Sequence, residues 1–185
     1  MHMATQLKRW TLEEVHSLPD DGNKYELVRG DLFVTPPPNE DHETILSRLT
    51  RVLDPYVAAQ RLGIVYHPRA VMRFEGSEVE PDLMVRQPRV VTEKDWDDAP
   101  TPILIVEVLS GSTRRRDHLQ KRELYLDAGV AEYWIIDSEA RNVRVVSAGQ
   151  KDAVATNELR WNAPGADVPL VVGLLELFGP TRARS

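Results

Sequence analysis

Glu107 stands inside the most apolar run of the chain, Ile103-Leu104-Ile105-Val106-Glu107-Val108-Leu109. An ionised carboxylate there is costly unless a cation pairs with it or a metal binds it. The plain reading is a buried ion pair, or a strand end that reaches solvent; the chemical reading is a ligand for a hard cation. Pro81-Asp82 offers a second carboxylate. Alternation along a strand over residues 79–85 places Glu80, Asp82 and Met84 on one face, with Val79, Pro81, Leu83 and Val85 on the other. By itself a Pro-Asp pair is a common turn or strand-edge dipeptide. Lys121 is the third candidate. At about 100° per residue, Asp117, Lys121, Leu124, Tyr125 and Ala128 share one helical face, so an amine falls within the stripe that packs toward the sheet. A salt bridge to Asp117 or a snorkelling side chain explains that position as well as an amine delivered to the carboxylates does.

The elements that would carry these residues are readable from the same pattern. The run 103–109 is short and rich in β-branched residues, which predicts a central strand covered on both faces. A helix over 113–128 follows, stopped by Gly129, and then strands over 132–137 and 142–146. Strand, helix, strand implies a parallel crossover, hence an α/β chain with a mixed sheet flanked by helices. Upstream, Thr11 with Glu14 makes a capping-box pattern for a short helix ended by Pro19. Residues 24–28 and 31–35 read as a hairpin turning at Arg29-Gly30. After three prolines, Asn39 or Asp41 caps a long helix bearing Ile45, Leu46, Leu49, Val52, Leu53, Tyr56 and Val57 and ending before Gly63. Pro55 inside it predicts a kink or an early stop. Further strands are expected over 64–67, 71–74 and 79–85, then a polar connector over 86–102. The tail over 153–185 shows only a weak strand near 168–172.

Composition bounds the function. The chain has 185 residues, 42% hydrophobic and 28% charged, enough for one domain over 1–185, with 1–10 as a flexible start or tag remnant. Cysteine is absent, which excludes disulfides, thiolate zinc and a cysteine nucleophile. No run approaches the roughly 20 apolar residues of a membrane helix, and no secretory pattern opens the chain, so a cytoplasmic location is expected. The net charge of −6 opposes nonspecific binding to phosphate backbones. Against it stand the clustered Arg114, Arg115, Arg116, Lys121 and Arg122. His42, after the prolines, reads most simply as an exposed helix-start residue, and Tyr133 and Trp134 as core or interface aromatics.

Taken together, Tyr25 to Gly30, Pro36 to His42, Pro81-Asp82-Leu83, Val106 to Ser110, Ser112 to Asp117 with Lys121, and Gly129 to Trp134 resemble the Uma-two family of endonucleases. That family is grouped with restriction-endonuclease-like proteins of the PD-(D/E)XK superfamily. The resemblance implies a metal-dependent endonuclease acting on nucleic acid, DNA above RNA, with Mg²⁺ as cofactor and Mn²⁺ as a substitute. It implies that Asp82 and Glu107, with the backbone carbonyl of Val108, bind the metal, and that Glu26 on the first hairpin lies near them. Arg114, Arg115, Arg116 and His42 become candidate substrate contacts, and a homodimer follows by analogy. One departure stands out: the superfamily lysine two positions after the second acid is here Leu109. Lys121 is the candidate replacement; loss of the lysine would favour a weak or inactive nucleic-acid-binding or interaction module on the same fold, and the acidic net charge would suit a hydrolase of a small phosphate ester.

Overall fold

The computed structural model describes residues 8–88, 96, 99–109 and 114–180, the side chains of 114–118 excepted. Thr11 caps α1 (Leu12–His16) by the reciprocal capping box that the sequence implies: its backbone N–H donates to Glu14 Oε2 at 2.9 Å, and its hydroxyl accepts from the Glu14 N–H. The hairpin β1 (Lys24–Val28) and β2 (Asp31–Thr35) follows, turning through Arg29 and Gly30, both at positive φ. Asn39 caps α2 (Glu40–Ala59) by accepting the His42 N–H at 2.9 Å. The helix runs past Pro55, so the early stop expected there does not occur. Pro55 is exposed, and Leu53 and Val57 on either side of it are buried, so core packing holds the helix together across the missing donor.

The remaining strands are β3 (Ile64–Tyr66), β4 (Met72–Phe74), β5 (Ser77–Val79), β6 (Leu83–Arg86), β7 (Leu104–Val108), β8 (Glu132–Asp137), β9 (Asn142–Ser147), β10 (Ala153–Ala155), β11 (Glu158–Trp161) and β12 (Leu170–Gly173). Helix α3 (Arg114–Asp127) lies between β7 and β8, and α4 (Leu174–Phe178) follows β12. The large sheet has the order β10-β9-β8-β7-β6-β3, with β7 and β8 parallel and the other pairs antiparallel. A smaller sheet, β2-β1-β5-β4, and the ribbon β11-β12 complete the fold. This is the mixed sheet flanked by helices that the strand-helix-strand pattern implied.

The segment over 79–85 is not one strand. Val79 ends β5 in the small sheet and Leu83 begins β6 in the large one, so Glu80, Pro81 and Asp82 bridge the two. The reason is local: the Glu80 N–H donates to the Glu26 carboxylate, and Pro81 has no N–H to offer a ladder. The tail also departs from expectation. Besides β12, it forms β10, β11 and α4.

Every residue of β7 is buried, and its alternation sorts the interior into two cores. Leu104, Val106 and Val108 face a core built with α2, β11, β12 and α4. Ile105 faces the other, with Met84, Leu124, Tyr125, Tyr133 and small-sheet residues Val28, Phe33 and Val79. Burial of each such side chain contributes about 1.5–3 kcal/mol, which fixes the register and leaves Glu107 on the α3 side with Ile105.

Candidate functional site

Glu107 enters the α3-side core next to the helix that follows its own strand. Leu124 and Tyr125 bury one face of α3, and Lys121, one turn before Tyr125, is buried with them. Lys121 Nζ donates to Glu107 Oε1 at 2.8 Å and to Glu26 Oε1 at 2.9 Å. Tyr125 Oη donates to the same Glu107 oxygen at 2.7 Å. Glu26 arrives from β1 because the hairpin is tied to α3: Arg29 pairs with Asp127, and Gln120 donates to Asp31 at 3.0 Å. Glu26 Oε1 also accepts the Glu80 N–H at 2.9 Å, while Oε2 is buried without a hydrogen bond among the described residues, although Lys121 Nζ lies 2.8 Å away.

Asp82, at the junction of the two sheets, comes to the end of β7 that carries Glu107. Its Oδ2 accepts the N–H of Val108, the residue after Glu107, at 2.8 Å, so the two carboxylates are joined through one strand residue. The same oxygen meets His42 Nε2 at 3.1 Å. His42 is therefore not the exposed helix-start residue that its position suggested; it is 7% exposed, held by the Asn39 cap in the first turn of α2 and aimed at Asp82.

The electrostatics follow from charge in a dry place. Burial pushes the Asp82 carboxyl up, but the His42 hydrogen bond, the Lys24 charge and the Val108 N–H outweigh it and hold Asp82 well below the usual carboxylate range. Burial likewise opposes ionisation of Glu26, and Lys121 and Lys24 overcome it, lowering its pKa. Glu107 goes the other way: burial raises its pKa more than Lys121 and Lys24 lower it, with Asp82 and Glu26 adding repulsion. Lys121 is raised despite burial because Glu107 and Glu26 favour its charged form, and His42 is raised despite burial by its contacts with Asp82.

Four predicted residues, Glu26, Asp82, Glu107 and Lys121, thus meet, and His42 joins them. Arg114, Arg115 and Arg116 form the first turn of α3, but their side chains lie outside the described residues, as do the expected helix start at Thr113 and the side chain of Asp117. Two members of the supposed basic cluster are otherwise engaged: Lys121 is buried in the site and Arg122 pairs with Asp152 at 2.9 Å. Tyr133 and Trp134 are buried core aromatics, Tyr133 edge-on to Tyr125 at 4.9 Å.

Two site residues escaped the sequence reading. Lys24 sits two positions before Glu26, hence on the same strand face, and its Nζ lies 3.5 Å from Asp82 Oδ1. Tyr125 is four positions after Lys121 in the predicted stripe; only its hydroxyl distinguished it from a packing residue. Among the described residues no three His, Asp or Glu side chains form a ready cage for a metal ion. What Asp82 and Glu107 offer instead is a pair of oxygen donors, the set a hard cation that keeps its own waters can use. No helix of the described residues is long and apolar enough to cross a membrane.

Comparison with known proteins agrees with this architecture. A solved structure from Anabaena variabilis ATCC 29413, described as "a putative nuclease belonging to DUF820", superposes with a TM-score of 0.75. It is 24% identical, with 91% of this chain and 97% of that chain covered, a likeness that shows a shared restriction-endonuclease-like fold. No curated protein matches the chain. The family model Uma2, "Putative restriction endonuclease", matches residues 12–175. That match runs from α1 into α4, and the chain belongs to the Uma2 family.

Proposed function

We propose that this protein is a divalent-metal-dependent endonuclease that hydrolyses phosphodiester bonds in DNA, with Asp82 and Glu107 as metal ligands. The observation that carries the reading is the Val108 N–H bond to Asp82, which brings the second carboxylate to the edge of the Glu107 strand, one residue past the acid that Lys121 meets. Val108's carbonyl leaves an extended strand on the same edge as its N–H, so it is available as a third oxygen. Mg²⁺, or Mn²⁺ in its place, would polarise the phosphate and acidify a bound water.

The chain's own residues do the rest. Lys121, fixed at Glu107, donates to the attacking water or to a phosphate oxygen as negative charge develops. Tyr125 keeps the Glu107 carboxylate in one orientation, and His42 does the same for Asp82. Glu26 holds the amine from the other side. Lys121 thereby answers the departure at Leu109: the amine reaches the acid from the next helix instead of from two residues along the strand. Arg114 to Arg116, at the start of α3, are the proposed backbone contacts, and paired cuts in a duplex favour a homodimer.

The test is cleavage of supercoiled plasmid, single-stranded DNA and RNA with Mg²⁺, Mn²⁺ or chelator. Plasmid nicking that needs the metal, and falls at least about a hundredfold in Glu107→Gln and Lys121→Ala, is expected. Cutting that survives in a folded Glu107→Gln protein, or binding with no metal-dependent cutting, sinks the proposal.

A further inference from the structure

Lys24 has no part in that mechanism, yet its ammonium closes another side of the same centre. Nζ lies 3.5 Å from Asp82 Oδ1 and 3.8 Å from Glu26 Oε2, and donates to the Glu80 carbonyl at 2.9 Å. Two carboxylate oxygens from different elements and a backbone carbonyl are the ligand types that a hard divalent cation takes. The side chain is only 20% exposed.

Two-metal phosphodiesterases place their ions about 3.5–4 Å apart, commonly astride a shared carboxylate. Asp82 has that bridging position here, its Oδ2 turned to Val108 and His42 and its Oδ1 to Lys24. We propose that Lys24 takes the place of a second cation, so that the centre loads one divalent ion per chain, on the Asp82–Glu107 side. The inference rests on the metal-dependent reading above. Charge supports it. Glu26, Asp82 and Glu107 face Lys24 and Lys121, which leaves one net negative charge before His42 is counted. One divalent ion reverses that balance, and a second would have to enter an already positive site beside an ammonium, at a strongly repulsive distance. Removal of the Lys24 charge restores the room and the negative potential that a second ion needs.

The experiment is titration of the full chain with Mn²⁺, free ion being read by electron paramagnetic resonance and heat by calorimetry, with folding followed by circular dichroism. One ion per wild-type chain is expected, and two in Lys24→Met, the second weaker. Lys24→Gln keeps a donor for the Glu80 carbonyl without the charge; it should also bind two and serves where the Met variant does not fold. Two ions in the wild type, or one in both folded variants, overturns the inference and leaves the nuclease reading standing. No ion in the wild type overturns both.

Discussion

A carboxylate among valines and isoleucines persists only because its negative charge is met at once. Glu107 has Lys121 at 2.8 Å and Tyr125 at 2.7 Å on one oxygen, and Lys121 in turn balances Glu26. Truncating the amine leaves two buried acids facing each other, and breaking a buried pair from one side costs about 3–5 kcal/mol. Lys121→Met should lose that much in urea unfolding at neutral pH; a loss under about 1 kcal/mol would show that the amine is dispensable to the fold. The sign with pH is fixed by the raised Lys121 pKa. Its contribution is fully present below the unfolded value of 10.5 and is lost as pH climbs through the folded one, so the gap between wild type and variant holds at neutral pH and closes only in strong alkali. Glu107, Asp82 and Lys121 were legible in the sequence because each is a polar group at an apolar position, an anomaly that periodicity exposes. Lys24 was not, and His42 entered only through the family resemblance, because their neighbours are polar and their burial comes from contacts 58 and 40 residues away.

Among elements, those whose residues pair with chain neighbours were readable and those that change partners were not. The hairpin over 24–35 and strand β8 fall where alternation and turn residues put them. The stretch over 79–85 looked like one strand because its apolar alternation is unbroken, and nothing in that pattern records that Glu26 and Val108 take over its hydrogen bonds. Strand β8 carries a further polar intrusion in Glu132, whose carboxylate accepts the Trp134 indole N–H at 2.5 Å. Burial raises its pKa, partly offset by hydrogen bonds from Trp134 and Ser147. An acid whose folded pKa is raised opposes folding once ionised, so its cost is relieved as pH falls through the folded value toward the unfolded 4.5. Glu132→Gln keeps an acceptor for the indole and removes the charge. Its melting temperature should exceed that of wild type at pH 7 by a small margin that vanishes near pH 4; a variant less stable than wild type at pH 7 would show that the ionised form is the one the strand needs.

At the scale of the whole molecule, the tail is part of the wall behind the site. Leu159, Trp161, Leu170, Val172, Leu174 and Leu177 are buried with Val106 and Val108 of the site strand and with α2. Little of this shows in the residue pattern because β11 and β12 are four residues each and α4 is five, too short for a period to declare itself. Trp161 ties the layers together: its ring lies edge-on to Trp134 at 5.8 Å and tilted to Tyr56 at 5.8 Å. Trp134 is the register partner of Val106, one residue before Glu107, so the indole supports the site strand from the opposite face. Trp161 Nε1, by contrast, is buried with no hydrogen-bond partner among the described residues, and the contribution of the Trp161 ring is therefore packing alone. Trp161→Ala should cost about 3–5 kcal/mol through lost contacts and the cavity left behind, while Trp161→Phe, which forfeits no hydrogen bond, should cost well under half of that. Because the cavity opens on the α2 side and Glu107 and Glu26 meet α3 on the other, the proposed metal-dependent cleavage per folded molecule should stay within about threefold of wild type below the melting transition. A much larger loss in folded Trp161→Phe would mean that the site geometry depends on the tail directly, and that the two cores are coupled through β7 and not merely separated by it.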